Sequence, residues 1–297
     1  MTLIELVRDA SARLDEAGVS FGHGTTCAFD EAAWLVLWAL GQPLDDLDGA
    51  ALREVQGEAL QRVQALVALR IATRRPAAYL TGEAWLQGVP FFVDERTIVP
   101  RSLIAEVMAE GLVDAWLGTE PQRVLDLCTG NGSLAVLAAM AWPDARVEAT
   151  DISADALAVA RRNVERHGLV DRITLKQGDG LAACEGRHDL ILCNPPYVNR
   201  ASMAALPAEY RAEPALALDG GEDGMDFIRP LVAGLPSALT AQGALVLEIG
   251  HERSHFEAAF PRLEPVWLPT SAGDDQVLLR TAQALGTATA VSTGRNR

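Results

Sequence analysis

One stretch decides the fold: residues 124–135 read Val-Leu-Asp-Leu-Cys-Thr-Gly-Asn-Gly-Ser-Leu-Ala. The apolar start predicts a short buried strand, and a helix is predicted from Ser133 onward. Between them, Gly130 and Gly132 with Ala135 fit the G-x-G-x-x-G/A loop that joins a strand to a helix in open α/β sheets. Because glycine has no side chain, this backbone can pass close to a ligand. The stretch therefore predicts an α/β fold with a nucleoside site at this turn; a tight turn without a ligand is the alternative interpretation.

Strands and helices alternate along the chain from residue 102 onward. Helices are predicted from Ser133 and over 153–167, and the segments 266–268 and 277–279 are candidates to close the sheet. Repeated β–α alternation predicts a parallel, doubly wound, Rossmann-like sheet whose carboxyl edge carries the site. The other predicted strands span residues 146–150, 173–176, 189–193 and 243–249.

The first 76 residues have a different pattern. Apolar residues at helical spacing predict helices over 2–17, 30–41 and 49–73, and Pro76 ends the last of them. Residues 83–99 alternate and are rich in aromatic and β-branched side chains, which predicts a β-hairpin. We therefore expect a small N-terminal helical domain (1–76), a β-hairpin linker (77–101) and the α/β domain (102–284). The segment 285–297 is small and polar, and we expect a disordered tail there.

The charge balance bears on the partners of this chain. Its 297 residues include 40 acidic and 25 basic side chains, for a formal net charge of −15. An acidic surface repels phosphate backbones, so no stable nucleic-acid binding is expected. The balance favours a small molecule or a basic protein as substrate, although it also simply favours solubility.

Cysteine usage and hydropathy bear on the compartment. The four cysteines form no Cys-x-x-Cys pair and have no histidine at zinc-like spacing, so neither a metal site nor a disulfide framework is predicted. Three of them fall in segments predicted to be buried. The N-terminus lacks the basic start and apolar core of a signal peptide, and no apolar run approaches the length of a membrane span. We therefore expect a cytoplasmic protein with no membrane association.

Acidic residues at the strand ends indicate which nucleoside is bound. Asp151 closes the second strand, where a carboxylate can accept hydrogen bonds from both hydroxyls of a ribose. With Asp126 and Asp179, three acids surround one pocket, which suits the cationic S-adenosyl-L-methionine better than a dianionic nicotinamide dinucleotide. For any single acid, a loop cap is the alternative. The predicted cofactor-binding residues are Asp126, Thr129, Gly130, Asn131, Gly132, Asp151, Ile152, Asp179, Gly180 and Asn194.

The most specific signal is Asn194-Pro195-Pro196-Tyr197, at the carboxyl end of the fourth strand. Consecutive prolines restrict the backbone, so the turn is a rigid hook. It can present the Asn194 side-chain oxygen and the Pro195 main-chain oxygen as two acceptors for one NH₂ group. Accepting both N–H groups localises electron density on an amide nitrogen, and Tyr197 can stack on the flat amide. These four residues are the predicted substrate-binding group, and Asn194, Pro195 and Tyr197 are the predicted catalytic residues. A proline-rich turn without function is the alternative.

These motifs together resemble the protein-glutamine methyltransferase family, which methylates glutamine in release factors or in a large-subunit ribosomal protein. The resemblance covers most of the chain and favours the ribosomal-protein branch. It is carried by Asp126-x-x-Thr129-Gly130-x-Gly132, by Asp151 and by the hook, together with Phe21-Gly22-His23-Gly24-Thr25-Thr26, Ala78-Tyr79-Leu80-Thr81, Val99-Pro100-Arg101-Ser102, Tyr210-Arg211-Ala212-Glu213-Pro214 and Leu247-Glu248-Ile249-Gly250.

The resemblance implies a class I methyltransferase domain that uses S-adenosyl-L-methionine. It implies that Asn194, Pro195 and Tyr197 hold a glutamine, and that the glycine loop and the acids after the second and third strands help to bind the cofactor. The helical domain would dock a basic protein, with the third protein of the large ribosomal subunit as the expected substrate. An acidic enzyme suits such a partner, since complementary charge speeds encounter.

Two departures and several alternatives accompany this interpretation. Leu103 stands where the branch has a proline, and residues 273–277 replace a more glycine-rich turn. The same hook suits a release-factor glutamine methyltransferase or a nucleic-acid adenine methyltransferase, since adenine also presents an NH₂ group. Two further alternatives give the hook no role. They are a nicotinamide-dependent dehydrogenase, whose reaction does not need the hook, and a non-catalytic ribosome-assembly factor, which would not use it. Arg101 is a candidate ligand clamp or part of a surface salt bridge.

Overall fold

The computed structural model describes residues 1–284, so the tail predicted over 285–297 lies outside the described residues. The first part contains helices α1 (Leu3–Glu16), α2 (Ala28–Ala39), α3 (Leu47–Ala50), α4 (Gly57–Thr73) and α5 (Ala77–Thr81), and strands β1 (Glu83–Leu86) and β2 (Val89–Phe92). The later helices are α6 (Leu103–Ala109), α7 (Ser133–Ala141), α8 (Ala154–Arg166), α9 (Arg200–Ala205), α10 (Ile228–Ala238) and α11 (Arg253–Ala259). The later strands are β3 (Arg123–Leu127), β4 (Arg146–Asp151), β5 (Ile173–Gln177), β6 (His188–Cys193), β7 (Leu239–Glu248), β8 (Val266–Thr270) and β9 (Gly273–Thr281).

The helical region, residues 1–81, has its own apolar core between α1, α2 and α4. Helix α1 begins with a reciprocal cap, in which Thr2 N donates to Glu5 Oε2 at 2.8 Å and Thr2 Oγ1 accepts from Glu5 N. The prediction of one helix over 49–73 is wrong, because residues 51–56 separate α3 from α4. In that gap Val55 is buried, and its N donates to Met1 O at 2.9 Å. Long-range pairing with the chain start therefore overrides the local helical pattern.

The linker is only partly a hairpin. Strands β1 and β2 pair antiparallel as predicted, but residues 77–81 form α5, and the predicted strand character of 97–99 is wrong. The hydroxyl of the buried Tyr79 donates to Thr97 O at 2.5 Å, so the chain after β2 folds back over α5. The proposed division into domains at 76/77 and 101/102 stays a prediction.

A seven-stranded sheet forms the second part, in the order β5-β4-β3-β6-β7-β9-β8. Strands β3 to β7 are parallel, whereas β9 pairs antiparallel with β7 and with β8. The expectation of a wholly parallel sheet is thus corrected at one edge, because β8 and β9 are joined by a turn too short for a parallel crossover. The α/β, Rossmann-like fold is confirmed.

Alternate residues of the central strands enter two different cores. Val124 and Leu190 pack on the face covered by α7 and α8, whereas Leu125 and Ile191 pack on the face covered by α10. Both faces are therefore buried, which is typical of parallel sheets. The rigid sheet brings the ends of β3, β4, β5 and β6 to one edge.

The cysteines are less buried than expected. Only Cys193 is fully buried; Cys128 and Cys184 are half-buried and Cys27 is exposed, so the prediction of three buried cysteines is wrong. Within residues 1–284, no group of three His, Cys, Asp or Glu side chains is arranged to hold a metal ion. No helix in the same range is long and apolar enough to cross a membrane.

Candidate active site

Two adjoining cavities lie at the carboxyl edge of the sheet. The glycine-loop cavity, of about 200 Å³, is lined by Gly130, Asp151, Ile152, Asp179, Pro196 and Phe227 among others. The hook cavity, of about 400 Å³, is lined by Arg101, Pro195, Tyr197, Tyr210 and Glu248 among others. Ile98, Asn194 and Ala217 line both cavities, and Asn194 is the polar side chain among these three at the junction.

The glycine loop is held in left-handed backbone conformations. Cys128, Gly130 and Gly132 have φ of 58°, 55° and 81°. The loop is fixed from below by Asp126, whose Oδ2 accepts from Thr129 Oγ1 at 2.5 Å and from Ala135 N at 3.0 Å. The same carboxylate thus ties the loop to the first turn of α7.

Asp126 does not form part of the cavity wall. It is fully buried beneath the loop, and burial raises its pKa to about 7. Its Oδ1 accepts no hydrogen bond from any residue in the described range 1–284. Thr129, Asn131 and Gly132 also stand behind the wall. Direct cofactor contact by these four residues stays a prediction, and their observed role is to shape the loop.

The hairpin helps to hold the loop from the other side. Phe92 N donates to Asn163 Oδ1 at 2.7 Å, and Asn163 Nδ2 donates to Asn131 O at 2.8 Å. Asn163, in α8, is fully buried and therefore links β2 to the glycine loop. Its role could not be found from sequence, since nothing in the local pattern distinguishes it from other polar helix positions.

The second and third acids do line the glycine-loop cavity. Asp151 Oδ2 accepts from Gly130 N and its Oδ1 from Ser153 N, each at 2.9 Å. Burial raises the pKa of Asp151, although these backbone donors oppose the shift. Asp179 and Gly180 lie on the wall, with the apolar Ile152 and Phe227 nearby. Carboxylates beside an apolar slot and a glycine backbone suit an adenosine carrying a cationic group.

The hook is anchored at Tyr197. The Tyr197 hydroxyl donates to Glu248 Oε1 at 3.3 Å, and Glu248 Oε2 accepts from Ser102 Oγ at 2.6 Å and from Leu103 N at 2.9 Å. Burial raises the pKa of both Tyr197 and Glu248. A Cβ atom on Gly250 would lie 2.6 Å from Tyr197 Cε2, so the ring needs glycine beside it.

Arg101, in the wall of the hook cavity, forms an ion pair with Glu213 behind the wall, and the sequence left the role of Arg101 undecided. Arg101 Nη1 and Nη2 lie 2.6 Å and 2.7 Å from the two carboxylate oxygens of Glu213. Burial acts to raise the pKa of Glu213, but Arg101 and then His23 lower it to about 2. The pair is bidentate and largely buried, which rules out a surface salt bridge. Because 112 residues separate the partners, no spacing rule could have found it.

Known proteins match this chain closely. The family model described as "Methyltransferase small domain" matches residues 105–211. The ribosomal protein uL3 glutamine methyltransferase of Bordetella pertussis is 55% identical, over 96% of this chain and 97% of that protein. Its namesakes in Burkholderia pseudomallei and Neisseria gonorrhoeae are 49% and 45% identical, each over 96% of this chain and 95% of its own length.

Solved structures support the fold alone. The catalytic domain of hMettl16, solved in complex with a 3'UTR hairpin, superposes with a TM-score of 0.50 at 13% identity, over 75% of this chain and 81% of that one.

The predicted fold class, enzyme class and cofactor are confirmed. The protein is an S-adenosylmethionine-dependent methyltransferase with a Rossmann-like class I domain. Relatives that match this chain over nearly their full length share the name uL3 glutamine methyltransferase. The motifs and the two cavities are consistent with a glutamine methyltransferase. The chain therefore belongs to the family of ribosomal protein uL3 glutamine methyltransferases.

Proposed function

We propose that this protein transfers a methyl group from S-adenosylmethionine to the side-chain amide nitrogen of a glutamine in ribosomal protein uL3. The observation that carries the proposal is the position of Asn194, which lines both the glycine-loop cavity and the hook cavity. A substrate amide held by Asn194 in one cavity is necessarily next to a cofactor bound in the other. The shared function of the close relatives supports the choice of substrate.

The hook residues make a poor nucleophile reactive. An amide nitrogen shares its lone pair with the carbonyl, so it attacks only weakly. The Asn194 side-chain oxygen and the Pro195 main-chain oxygen accept hydrogen bonds from the two N–H groups, which localises density on the nitrogen and aims it. Tyr197 stacks on the flat amide, and its hydroxyl is fixed by the buried Glu248. Catalysis here is alignment in a preorganised site.

The glycine-loop cavity would hold the cofactor, which would supply a methyl group on a positively charged sulfonium. Asp151 would accept from the ribose hydroxyls and Asp179 from the adenine amine. Gly130 would let the backbone approach closely, and Ile152 and Phe227 would cover the apolar surface of the adenosine. Behind the hook cavity, Glu213 neutralises Arg101, so Arg101 adds no net charge to the wall. A preformed neutral wall needs no reorganisation during transfer.

The acidic surface suits the proposed partner. With 40 acidic and 25 basic side chains, the protein attracts a basic ribosomal protein and repels nucleic acid. The helical region docks the protein substrate, and the reaction takes place in the cytoplasm.

The test measures methyl transfer from labelled S-adenosylmethionine to uL3, release factor and duplex DNA, with products mapped by mass spectrometry. We expect one added methyl on a uL3 glutamine. Asn194→Ala should lower kcat about 100- to 1,000-fold, because it removes one of two aimed acceptors. Gln122→Ala is the control: Gln122 is an exposed amide just before β3, at the amino end of that strand, and lines neither cavity.

Each other outcome has a distinct meaning. Label on release factor keeps the chemistry and changes the substrate. Label on adenine contradicts the charge argument. Equal activity of wild type and Asn194→Ala overturns the role of the hook, and cofactor binding without transfer to any of the three substrates supports an assembly factor.

A further inference from the structure

One segment, the strap (residues 206–218), lines both cavities. Leu206, Tyr210 and Leu218 line the hook cavity, Pro214 and Leu216 line the glycine-loop cavity, and Ala217 lines both. The strap contains only two single-turn 3₁₀ helices, Tyr210–Ala212 and Ala215–Ala217. Such short turns do not hold a position by themselves, so the strap must be held from outside.

The helical region holds the strap through a buried carboxylate. Glu209 is only 2% exposed, and its Oε1 accepts from Ser20 N at 3.2 Å and from Arg74 Nη1 at 3.3 Å. Arg70 Nη1 lies 3.6 Å from the same oxygen, and Arg70 Nε donates to the buried Glu31 at 2.8 Å. A buried carboxylate is stable only when it is paired. The strap therefore cannot leave the helical region without exposing or unpairing these charges.

A loop of the helical region also reaches the cavity wall. In the loop of residues 21–26, His23 is 1% exposed, its Nε2 lies 3.5 Å from Glu213 Oε2, and its ring centroid lies 4.3 Å from that of Tyr210. The backbone at Gly22 passes so close to Tyr210 that a Cβ atom there would lie 2.2 Å from the Tyr210 hydroxyl. The loop thus touches Tyr210 and Glu213, while neither cavity is lined by a residue of the loop.

We propose that the loop of residues 21–26 is a positioning element of the active site. Gly22 sets Tyr210 in the wall of the hook cavity, and His23 sets Glu213, which lies behind that wall and holds Arg101 in it. The helical region then acts on turnover, in addition to any role in docking. The kinetic tests of this role use methylation of uL3, so they rest on the proposed function.

The decisive variant is Gly22→Ala, and Gly24→Ala is its matched control. Both glycines have left-handed φ, 125° and 100°, so both variants carry backbone strain. Only the methyl group at residue 22 meets the strap, whereas the nearest atom to one at residue 24 is Trp34 Cζ3, at 3.8 Å. We expect Gly22→Ala to lower kcat for uL3 about 10- to 100-fold with little change in KM, because a misplaced wall misaligns the amide. Gly24→Ala should keep its kcat within about threefold of wild type.

A second-site change tests the contact itself. In Gly22→Ala, the clash is with the Tyr210 hydroxyl, and the next atom, Cζ, lies at 3.4 Å. Adding Tyr210→Phe removes the hydroxyl and should restore most of the lost kcat relative to Tyr210→Phe alone. If Gly22→Ala lowered kcat only by destabilising the fold, removing the Tyr210 hydroxyl would not restore kcat. If Gly22→Ala does not fold, His23→Leu replaces it as the test variant, because it adds no atom against the strap and removes the contact with Glu213.

Hydrogen exchange of the strap gives a readout without activity. Amides of residues 206–218 should exchange faster in Gly22→Ala and in His23→Leu, while those of β3 and β6 stay protected as in wild type. A raised KM with unchanged kcat and unchanged exchange would show a docking role only and overturn the proposal. If wild type does not methylate uL3, the proposed function fails, and faster exchange of the strap still supports the positioning role.

Discussion

The two cavities are built in different ways. The glycine loop is held mostly by contacts between segments close in sequence: Asp126 and Thr129 are 3 positions apart, and Gly130 and Asp151 are 21 positions apart. The hook cavity is held by pairs such as Arg101 with Glu213, 112 residues apart, and Ser102 with Glu248, 146 apart. The glycine loop and Asp151 in the first cavity follow from one strand–loop–helix unit and its neighbour, although the strap supplies part of the wall. The second cavity exists only when hairpin, strap and sheet have assembled.

This contrast has a functional meaning. A cofactor common to many enzymes needs a site that the fold supplies by itself, and strand ends of open α/β sheets do so. A particular protein substrate needs walls that differ from one enzyme to the next, and here they come from loops anchored to remote elements. We therefore expect substitutions in the hook cavity to affect stability and substrate use together.

The sharpest test of the contrast is Glu213→Ala. It leaves the largely buried Arg101 guanidinium without its carboxylate, and loss of one partner of a buried pair costs about 3 kcal/mol or more. Urea unfolding measures this loss directly. The control is Glu222→Ala, which breaks an ion pair with Arg200 whose side chains are about three-quarters exposed and should cost less than about 1 kcal/mol. Equal losses would mean that the long-range pair does not hold the hook cavity together.

In the glycine loop, Gly132→Ala should lower the free energy of unfolding by less than Glu213→Ala does. Gly132 has φ of 81°, and a Cβ atom there would lie 3.1 Å from Ala160 Cβ. We expect a loss of about 2 to 3 kcal/mol in the free energy of unfolding, together with weaker cofactor binding by calorimetry. Gly168→Ala has a similar φ of 68° and open space around it, so backbone strain alone should cost about 1 kcal/mol. If both variants lose the same amount, close packing of the loop on α8 contributes nothing.

The smallest effect is a pH dependence set by Asp126. Burial raises its pKa to about 7, so the folded protein holds a proton that the unfolded chain has already lost above its own, lower pKa. The resulting stability is present at low pH and is lost as pH rises through about 7. Between about pH 5 and about pH 8, the cofactor-free wild type should lose about 2 kcal/mol relative to Asp126→Asn.

Urea unfolding of the cofactor-free proteins at several pH values measures this difference. Asp9→Asn, on the exposed face of α1, should run parallel to wild type throughout. A constant difference between wild type and Asp126→Asn across the range would show that Asp126 is ionised in the folded state, in contradiction to a protonated carboxyl beneath the glycine loop.

Much of the sheet could be predicted from sequence, and the misses share one cause. The strand of residues 123–127, the glycine loop and α7 follow from periodicity and turn chemistry within a dozen residues. The break between α3 and α4 could not be predicted, since it depends on pairing of residues 53–55 with the chain start. In the sequence, part of the strap was recognised only through the family resemblance. The roles of its carboxylates depend on distant partners: Arg70 for Glu209, and Arg101 and His23 for Glu213.

The site shows the same division at the level of single residues. The hook and Asp151 lie at strand ends, where any parallel sheet exposes its turns, and the structure brings them together. Asp126 also ends a strand, yet its side chain turns beneath the loop towards Thr129 and Ala135. Which way a side chain points at the last residues of a strand depends on the register of the neighbouring strands, and sequence spacing does not specify it.

The sequence by itself determined the Rossmann-like sheet, the cofactor turn, the hook and the family, because each is written in residues a few positions apart whose geometry is local. Only the tertiary structure decided that Asn194 joins two cavities, that Glu248 fixes Tyr197, and that the helical region holds the strap. These facts depend on strand order and on buried charges finding partners up to 189 residues away, as Ser20 and Glu209 do. The physical reason is that burying a polar group requires a partner, and the folded chain can supply that partner from any distance along the sequence.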